Sequence, residues 1–168
     1  MNPTHIHLLL NHFPIIGTMI GSIILLIGLA KKNHPVIHTA LLILTVMAIV
    51  AIPVYLTGEP AEENVEKLPG ISEALIEEHE SLAAFAIWLM ELTGLVAFIC
   101  WIGQRKHIQS LSKLSWIVAL FSLVASAAMA RTGYLGGQIR HTEISNSGAS
   151  APNGHSKGDA GMEKNDDD

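Results

Sequence analysis

The sequence predicts an all-α protein, an antiparallel four-helix transmembrane bundle followed by a disordered C-terminal tail. With 49% hydrophobic and only 15% charged residues among 168, the chain is too apolar for an ordinary soluble domain. The apolar residues also cluster into four runs, at about residues 8–30, 36–56, 82–102 and 114–131. Each run is close to the ~20 residues that cross a hydrocarbon core as a helix. We therefore expect a transmembrane domain over residues 1–144.

The continuity of the four runs favours helices over a transmembrane β-barrel. Barrel strands alternate apolar and polar residues over segments of about 10 residues, and no such alternation is present here. A helix also satisfies its own backbone hydrogen bonds within lipid. The short connections at 31–35 and 103–113 make the helices that they join antiparallel neighbours.

The charges of the connections predict the orientation in the membrane. The connection at 57–81 carries eight Glu and one Lys, and no basic residue precedes the first helix. The basic residues lie instead on the opposite side, as Lys31, Lys32, Arg105, Lys106 and Lys113. Since cytoplasmic connections retain Lys and Arg, both termini are expected on the non-cytoplasmic side, in a bacterial inner membrane. The first run lacks a basic start and a cleavage site, so we expect it to remain in the mature protein.

The remaining composition excludes several kinds of site. Residues 145–168 are mostly small and polar and cannot bury enough surface to offset the entropy of ordering, so we predict a disordered tail. The single Cys100 excludes an internal disulfide, and the absence of Cys-x-x-Cys-His excludes the usual covalent haem attachment. A net charge of -5, without a phosphate-binding loop or a nucleophile triad, gives no indication of a nucleic-acid partner.

Histidines gather at one face of the membrane. Five of the nine are expected at the non-cytoplasmic side: His5, His7, His12, His79 and His141. His12 lies inside the first apolar run and His79 one turn before the third, where a polar ring is costly unless it has a partner or a ligand. The stripe beneath His79 includes Ala83, Ala86 and Ala97. Such small residues serve either close helix packing or space for a flat cofactor.

The two halves of the chain carry similar sequence motifs, and we call this similarity the echo. His12 is followed by Thr57-Gly58 at the end of the next helix, and His79 is followed by Thr132-Gly133 at the end of its partner. This echo predicts two helix-pair repeats related by an axis along the membrane normal. His12 and His79 would then face each other across that axis.

Three short motifs carry a resemblance to a known group of proteins. They are Asn11-His12-Phe13-Pro14-Ile15, Thr57-Gly58 and Thr132-Gly133-x-x-Gly136-Gly137. At these residues the chain resembles uncharacterised bacterial four-helix integral membrane proteins with a His-Phe-Pro-Ile first helix. The resemblance spans roughly residues 5 to 143. It implies the four-helix fold and a role for His12, and it supplies no activity.

Three functional hypotheses follow from these residues. The leading one is a b-type haem protein for electron transfer, with His12 and His79 as axial ligands and Arg131 paired to a propionate. The second is a non-haem zinc or iron site, in a sensor or transporter, built from His5, His7, His12, His79, His141 and nearby Glu. The third is a non-catalytic subunit of a membrane complex. The alternative to a propionate contact for Arg131 is that its side chain snorkels, extending its charged end to the membrane interface.

The composition implies that the lipid bilayer is a partner of this chain. The protein partner that we expect is a membrane redox complex or a second copy of the chain in a homo-oligomer.

Glu91 is a further candidate functional residue, because it lies near the middle of the third apolar run, where an ionised carboxylate is costly. We expect it to face the bundle interior, either as a protonated acid hydrogen-bonded to a neighbouring helix or as a proton-relay group.

Overall fold

The computed structural model describes residues 3–66, 72–106 and 108–148, with side chains described at 5–63, 72–106, 108 and 113–139. This part of the chain is helical, which confirms the all-α prediction. Its helices are α1 (Pro3–Leu10), α2 (His12–Ala30), α3 (His34–Leu56), α4 (Gly58–Glu66), α5 (Glu73–Arg105) and α6 (Gln109–Gly148).

Four helical segments are long and apolar enough to cross a membrane, as expected of an integral membrane protein. They are His5–Ala30, His34–Glu63, Glu73–Arg105 and Lys113–Ile139. Each contains one of the four predicted apolar runs. The prediction of four membrane-crossing helices is therefore confirmed at the level of length and composition.

The helices of the second half are longer than their apolar runs. α5 begins at Glu73 rather than near residue 82, and α6 continues to Gly148 rather than ending near 131. Ile76, Leu135 and Ile139 are buried in these extensions. The apolar runs mark the length that can cross a hydrocarbon core, whereas the extensions are held by contact between helices. Residues 145–148, predicted to be disordered, belong to α6, and the rest of the predicted tail lies outside the described residues.

Two short helices, α1 and α4, were not predicted. α1 leads into α2 through Asn11, whose backbone stays helical at φ -62° and ψ -27°, and α4 occupies the start of the acidic connection. The two helices pack against each other, and Ala61 of α4 is buried. A window of about 20 residues does not detect helices of this length. Together they extend the bundle beyond the ends of α2 and α3.

Glycines bring neighbouring helices into close contact. A Cβ on Gly21 would lie 3.0 Å from Leu44 Cδ2, and one on Gly28 would lie 2.9 Å from Ile37 Cγ1. These contacts pair later residues of α2 with earlier residues of α3, so the two helices run in opposite directions. Between α2 and α6, the Oγ atoms of Ser22 and Ser126 are 3.3 Å apart.

The apolar core divides along the bundle into two clusters. One lies nearer the basic connections and includes Leu25, Leu41, Ala97 and Val118, all fully or almost fully buried. The other lies nearer the acidic connection and consists of smaller or flexible side chains: Ala48, Ala51, Ala86, Met90, Ala125 and Met129. Small side chains leave space beyond this second cluster, and the candidate site occupies that space.

Candidate functional site

A cavity of about 770 Å³ lies at the acidic end of the bundle, lined by residues of α1 to α6. Cofactor and ligand sites usually enclose about 300–1,000 Å³ and are mostly apolar. The apolar and small lining residues include Pro14, Ile15, Ala51, Ala83, Ala86, Ile87 and Met129. The cavity therefore has the size and the walls of a site for a small organic molecule.

His79 of α5 lines this cavity and is anchored to α6. Its Nδ1 lies 3.0 Å from the carbonyl oxygen of Thr132. A carbonyl oxygen can only accept a hydrogen bond, so Nδ1 carries the proton and donates it. In the neutral ring, Nε2 then keeps its lone pair. Gly136 leaves room for the ring, since a Cβ there would lie 3.2 Å from His79 Cε1.

His7 of α1 lines the same cavity and is anchored to α3 in the same way. Its Nδ1 lies 3.0 Å from the carbonyl oxygen of Val54 and 3.3 Å from the Thr57 hydroxyl. That hydroxyl donates to the same carbonyl at 2.9 Å. By the same reasoning, Nδ1 of His7 is the protonated nitrogen and Nε2 keeps the lone pair. A Cβ on Gly58 would lie 3.7 Å from His7 Cε1, in ordinary contact.

The two half-buried imidazoles form a matched pair. Each donates from Nδ1 to a backbone carbonyl of a later helix, and each stands beside a glycine. A hydrogen bond of this kind fixes the tautomer of a histidine and leaves Nε2 as its available ligand atom. Each of the two rings therefore offers Nε2 as a ligand atom.

His12, predicted to face His79, has a different environment. Its ring is exposed at the edge of the cavity, and its Nδ1 lies 2.9 Å from the carbonyl oxygen of Leu8 in the preceding turn. The backbone stays helical through Asn11, so the five-residue spacing places His7 and His12 about 140° apart around one helix. The structure thus places His7, rather than His12, in the setting that parallels that of His79.

The other predicted ligands do not join this pair. His5 is exposed and does not line the cavity, and the side chain of His141 lies outside the described residues. Within the described part of the chain, no group of three or more His, Cys, Asp or Glu side chains converges as a metal site would require.

Arg131 lies outside the cavity wall and has another partner. Its guanidinium forms an ion pair with Glu78 at 3.0 Å and lies 5.9 Å from the centre of the Tyr134 ring. The two charged side chains are 55% and 50% exposed, which makes this a surface ion pair. The predicted role of Arg131 as a propionate partner therefore competes with a contact that the protein already makes.

The polar part of the cavity wall is acidic. Glu59, Glu62 and Glu80 line it together with the three histidines His7, His12 and His79, and no Lys or Arg is among the described residues of the wall. Oδ1 of Asn11 is buried there and has no hydrogen-bond partner among the described residues. The electrostatic environment therefore favours positive charge within the cavity.

Glu91 lies deeper in α5 than the cavity wall. Its Oε1 is buried and accepts no hydrogen bond from any described residue, so the predicted bond to a neighbouring helix is not made by this oxygen. The side chain as a whole is half-buried.

The histidine-rich end of the bundle was predicted from the sequence, whereas the similar settings of His7 and His79 were not. The Thr57-Gly58 and Thr132 to Gly136 motifs contact these two rings. These contacts make His7, not His12, the histidine that corresponds to His79.

Comparisons of the chain with protein-family models, curated proteins and solved structures gave no match. The resemblance to the His-Phe-Pro-Ile membrane proteins therefore stays a prediction.

Proposed function

We propose that this protein binds haem b noncovalently in the cavity, where His7 and His79 would hold the iron, and that it transfers electrons at the membrane. The observation that carries the proposal is the matched anchoring of the two imidazoles. Both Nδ1 atoms donate to backbone carbonyls at 3.0 Å, and both rings line one largely apolar cavity. Bound haem would supply a one-electron couple, while the protein supplies two oriented imidazoles and a largely apolar wall.

The number of available ligands favours haem over a protein-bound metal ion. Haem iron takes four nitrogens from the porphyrin and needs two protein ligands at most. A zinc or non-haem iron site takes three or four ligands from the protein. The cavity supplies two anchored imidazoles, and the described residues contain no convergent group of three. The apolar walls also suit a porphyrin face better than a hydrated ion.

The acidic wall sets the expected charge of the bound group. Ferric iron carries one more positive charge than ferrous iron, so nearby carboxylates such as Glu59 and Glu80 stabilise the oxidised form. The proposal therefore includes a low reduction potential. Haem propionates would lie at the open mouth in water, because no described wall residue is a cation that could pair with them.

For the membrane placement, we propose that the cavity faces the non-cytoplasmic side of a bacterial inner membrane. The exposed residues Lys31, Lys32, Arg105, Lys106 and Lys113 lie at the opposite end, which the positive-inside rule assigns to the cytoplasm. In a Cys100→Ser background, a single cysteine at Glu63 should react with an impermeant thiol reagent in intact cells, and one at Lys106 only after permeabilisation. The reverse pattern would overturn the orientation.

Electron transfer also requires a partner that exchanges electrons with the haem. We propose a membrane redox complex for this role, with a second copy of the chain as the alternative arrangement. The acidic end of the protein offers contacts to a partner with a basic surface, which would gain in association rate from opposite charge.

The direct test is the visible spectrum of the purified protein, produced with an adequate haem supply and assayed for metals. We expect a reduced-minus-oxidised haem b spectrum with about one haem per chain. A colourless protein that holds zinc or iron would replace the proposal with the metal-site hypothesis. A colourless and metal-free protein would favour a non-catalytic subunit.

A further inference from the structure

The basic end of the bundle, opposite the cavity, carries positive charge that the proposed function does not use. Five basic side chains are exposed there, those of Lys31, Lys32, Arg105, Lys106 and Lys113. The sequence has no Asp or Glu among residues 1–58 or 92–142, and these two stretches include both connections at this end. Since neither connection supplies an acidic residue, the basic end attracts anionic groups.

Aromatic rings of two helices are in contact at this end, between α3 and α5. The ring centroids of His38 in α3 and Trp101 in α5 are 5.1 Å apart. Phe98, three residues earlier in α5, stacks on Trp101 with the ring centroids 6.2 Å apart and the ring planes at 15°. Nε1 of Trp101 makes no hydrogen bond to a described residue, so ring contacts hold the indole in place.

Arg105 places its guanidinium over this indole. Its Cζ lies 4.5 Å from the centroid of the Trp101 ring, one helical turn away in α5. The side chain is exposed and forms no ion pair with a described carboxylate, whereas Arg131 at the acidic end has Glu78 as its partner. A planar guanidinium that is held on a ring and lacks a counter-ion can offer its N–H fork to the oxygens of a phosphate.

The level of these side chains matches the boundary between hydrocarbon and headgroups. Trp101 is one residue inside the end of the predicted apolar run 82–102, and Arg105 is three residues beyond it. Aromatic and basic side chains are favoured at this boundary. One turn nearer the middle of the bundle, Phe98 of α5 and Leu42 of α3 are each 43% exposed. This region therefore presents a cation at the headgroup level and apolar side chains at the level of acyl chains.

We infer that these side chains form a binding site for an anionic phospholipid in the leaflet at the basic end. Arg105, held on Trp101, donates to phosphate oxygens of the headgroup, and the acyl chains lie along Phe98 and Leu42. Basic sites between transmembrane helices are known to suit acidic headgroups. A free phosphate would make only the first of these contacts, so we assign a lipid. The site depends on placement in a bilayer and is independent of haem.

Native mass spectrometry of the full chain, released from detergent micelles, tests this site. Titrations with anionic phosphatidylglycerol and with zwitterionic phosphatidylcholine of the same acyl chains give the apparent Kd of the first bound lipid. We expect phosphatidylglycerol to bind about tenfold more tightly, and excess inorganic phosphate should not displace it. Equal affinity for the two lipids would overturn the inference. Displacement by inorganic phosphate would overturn the assignment to a lipid.

Two substitutions that each remove one positive charge separate a site from a general attraction to the basic end. Arg105→Gln should weaken binding of the first phosphatidylglycerol about tenfold or more, because it removes charge-assisted hydrogen bonds. Lys31→Gln is the matched control. Lys31 is also exposed, but it follows α2, which is diagonal to α5 because α3 and α6 each pack against both. Its substitution should change the affinity less than about threefold. Equal weakening by the two variants would contradict a site at Arg105.

The role of the indole is tested with Arg105 left in place. Trp101→Leu removes the ring beneath the guanidinium and should weaken lipid binding about threefold, whereas Trp101→Phe keeps an aromatic ring and should retain most of the affinity. Trp116→Leu, at a Trp that is 57% exposed on α6, is the control and should bind as wild type. Circular dichroism establishes that each variant is folded. Wild-type affinity in folded Trp101→Leu, or equal loss in Trp116→Leu, would contradict the role of the indole.

Discussion

The two ends of this bundle use glycine for opposite purposes. Near the basic end, Gly28 allows α2 to approach α3 so closely that an added Cβ would lie 3.0 Å from the backbone nitrogen of Ile37. At the acidic end, Gly136 and Gly58 face imidazole rings of His79 and His7 instead of another backbone. Small residues therefore close one end of the bundle and leave the other open around two anchored rings.

This difference separates stability from function along one set of helices. A methyl group added at the closed end should change the free energy of unfolding and leave the cavity intact. A methyl group added at the cavity end should change what the cavity binds, with a smaller effect on the free energy of unfolding. The predictions below test that separation, beginning with the largest effect.

The largest effect is expected for Gly28→Ala. The new methyl group meets the backbone of α3, which cannot rotate away, and overpacking of this kind typically costs about 1–3 kcal/mol. Reversible unfolding in mixed micelles measures the loss, and the haem content of the folded fraction should not change. Gly137→Ala is the matched control, because nothing lies within 4 Å of its Cβ. Equal destabilisation by both substitutions would remove the distinction between the two ends.

Gly136→Ala should act mainly on the cavity. Its methyl group would lie 3.2 Å from His79 Cε1 and displace the ring from the Thr132 carbonyl oxygen. Weakening that hydrogen bond by about 1 kcal/mol corresponds to about fivefold weaker retention of haem. Titration of the haem-depleted protein with haem measures this change. Unaltered retention would show that the anchor of His79 does not contribute to binding.

The charge of the cavity wall should set the reduction potential. Glu80→Gln removes one negative charge from the wall without changing the shape of the side chain greatly. We expect the potential to rise by on the order of 20 mV, because the ferric form loses a favourable interaction of about 0.5 kcal/mol. Spectroelectrochemical titration measures the shift, and Glu77→Gln, which lies outside the wall, is the control. A fall in potential would contradict the assigned electrostatics.

The smallest effect is expected for Arg131→Gln. Its ion pair with Glu78 is about half exposed on both sides, and such pairs contribute about 0.2–1 kcal/mol to stability. Since Arg131 does not line the cavity, haem retention should remain that of wild type. A severalfold loss of haem in this variant would restore the propionate role that the sequence suggested.

The sequence was sufficient for the four helices that are long and apolar enough to cross a membrane. Length and apolar composition belong to each helix by itself and are visible without tertiary structure. It was insufficient where helices contact each other instead. The extension of α5 to Glu73 depends on Ile76 packing inside the protein, and α1 and α4 are too short for a hydropathy pattern.

The candidate site was predicted in part for a related reason. His79 and the motifs of Thr57-Gly58 and Thr132-Gly133 were identified because they stand at apolar helix ends. The choice between His7 and His12 depends on which face of the first helical segment meets α3, since the two rings lie about 140° apart around it. Residues 5–12 alone do not show that face, because the contact of His7 is with Val54 on another helix.

The measurement that tests the central claim most directly is the reduced-minus-oxidised spectrum of three variants produced with haem. His7→Ala and His79→Ala each remove one anchored imidazole, and we expect each to abolish or strongly alter the haem spectrum while membrane insertion stays normal. His12→Ala removes an exposed ring bonded to its own neighbouring turn and should leave the spectrum as in wild type. A spectrum lost in His12→Ala and retained in His7→Ala would contradict the pairing of His7 with His79.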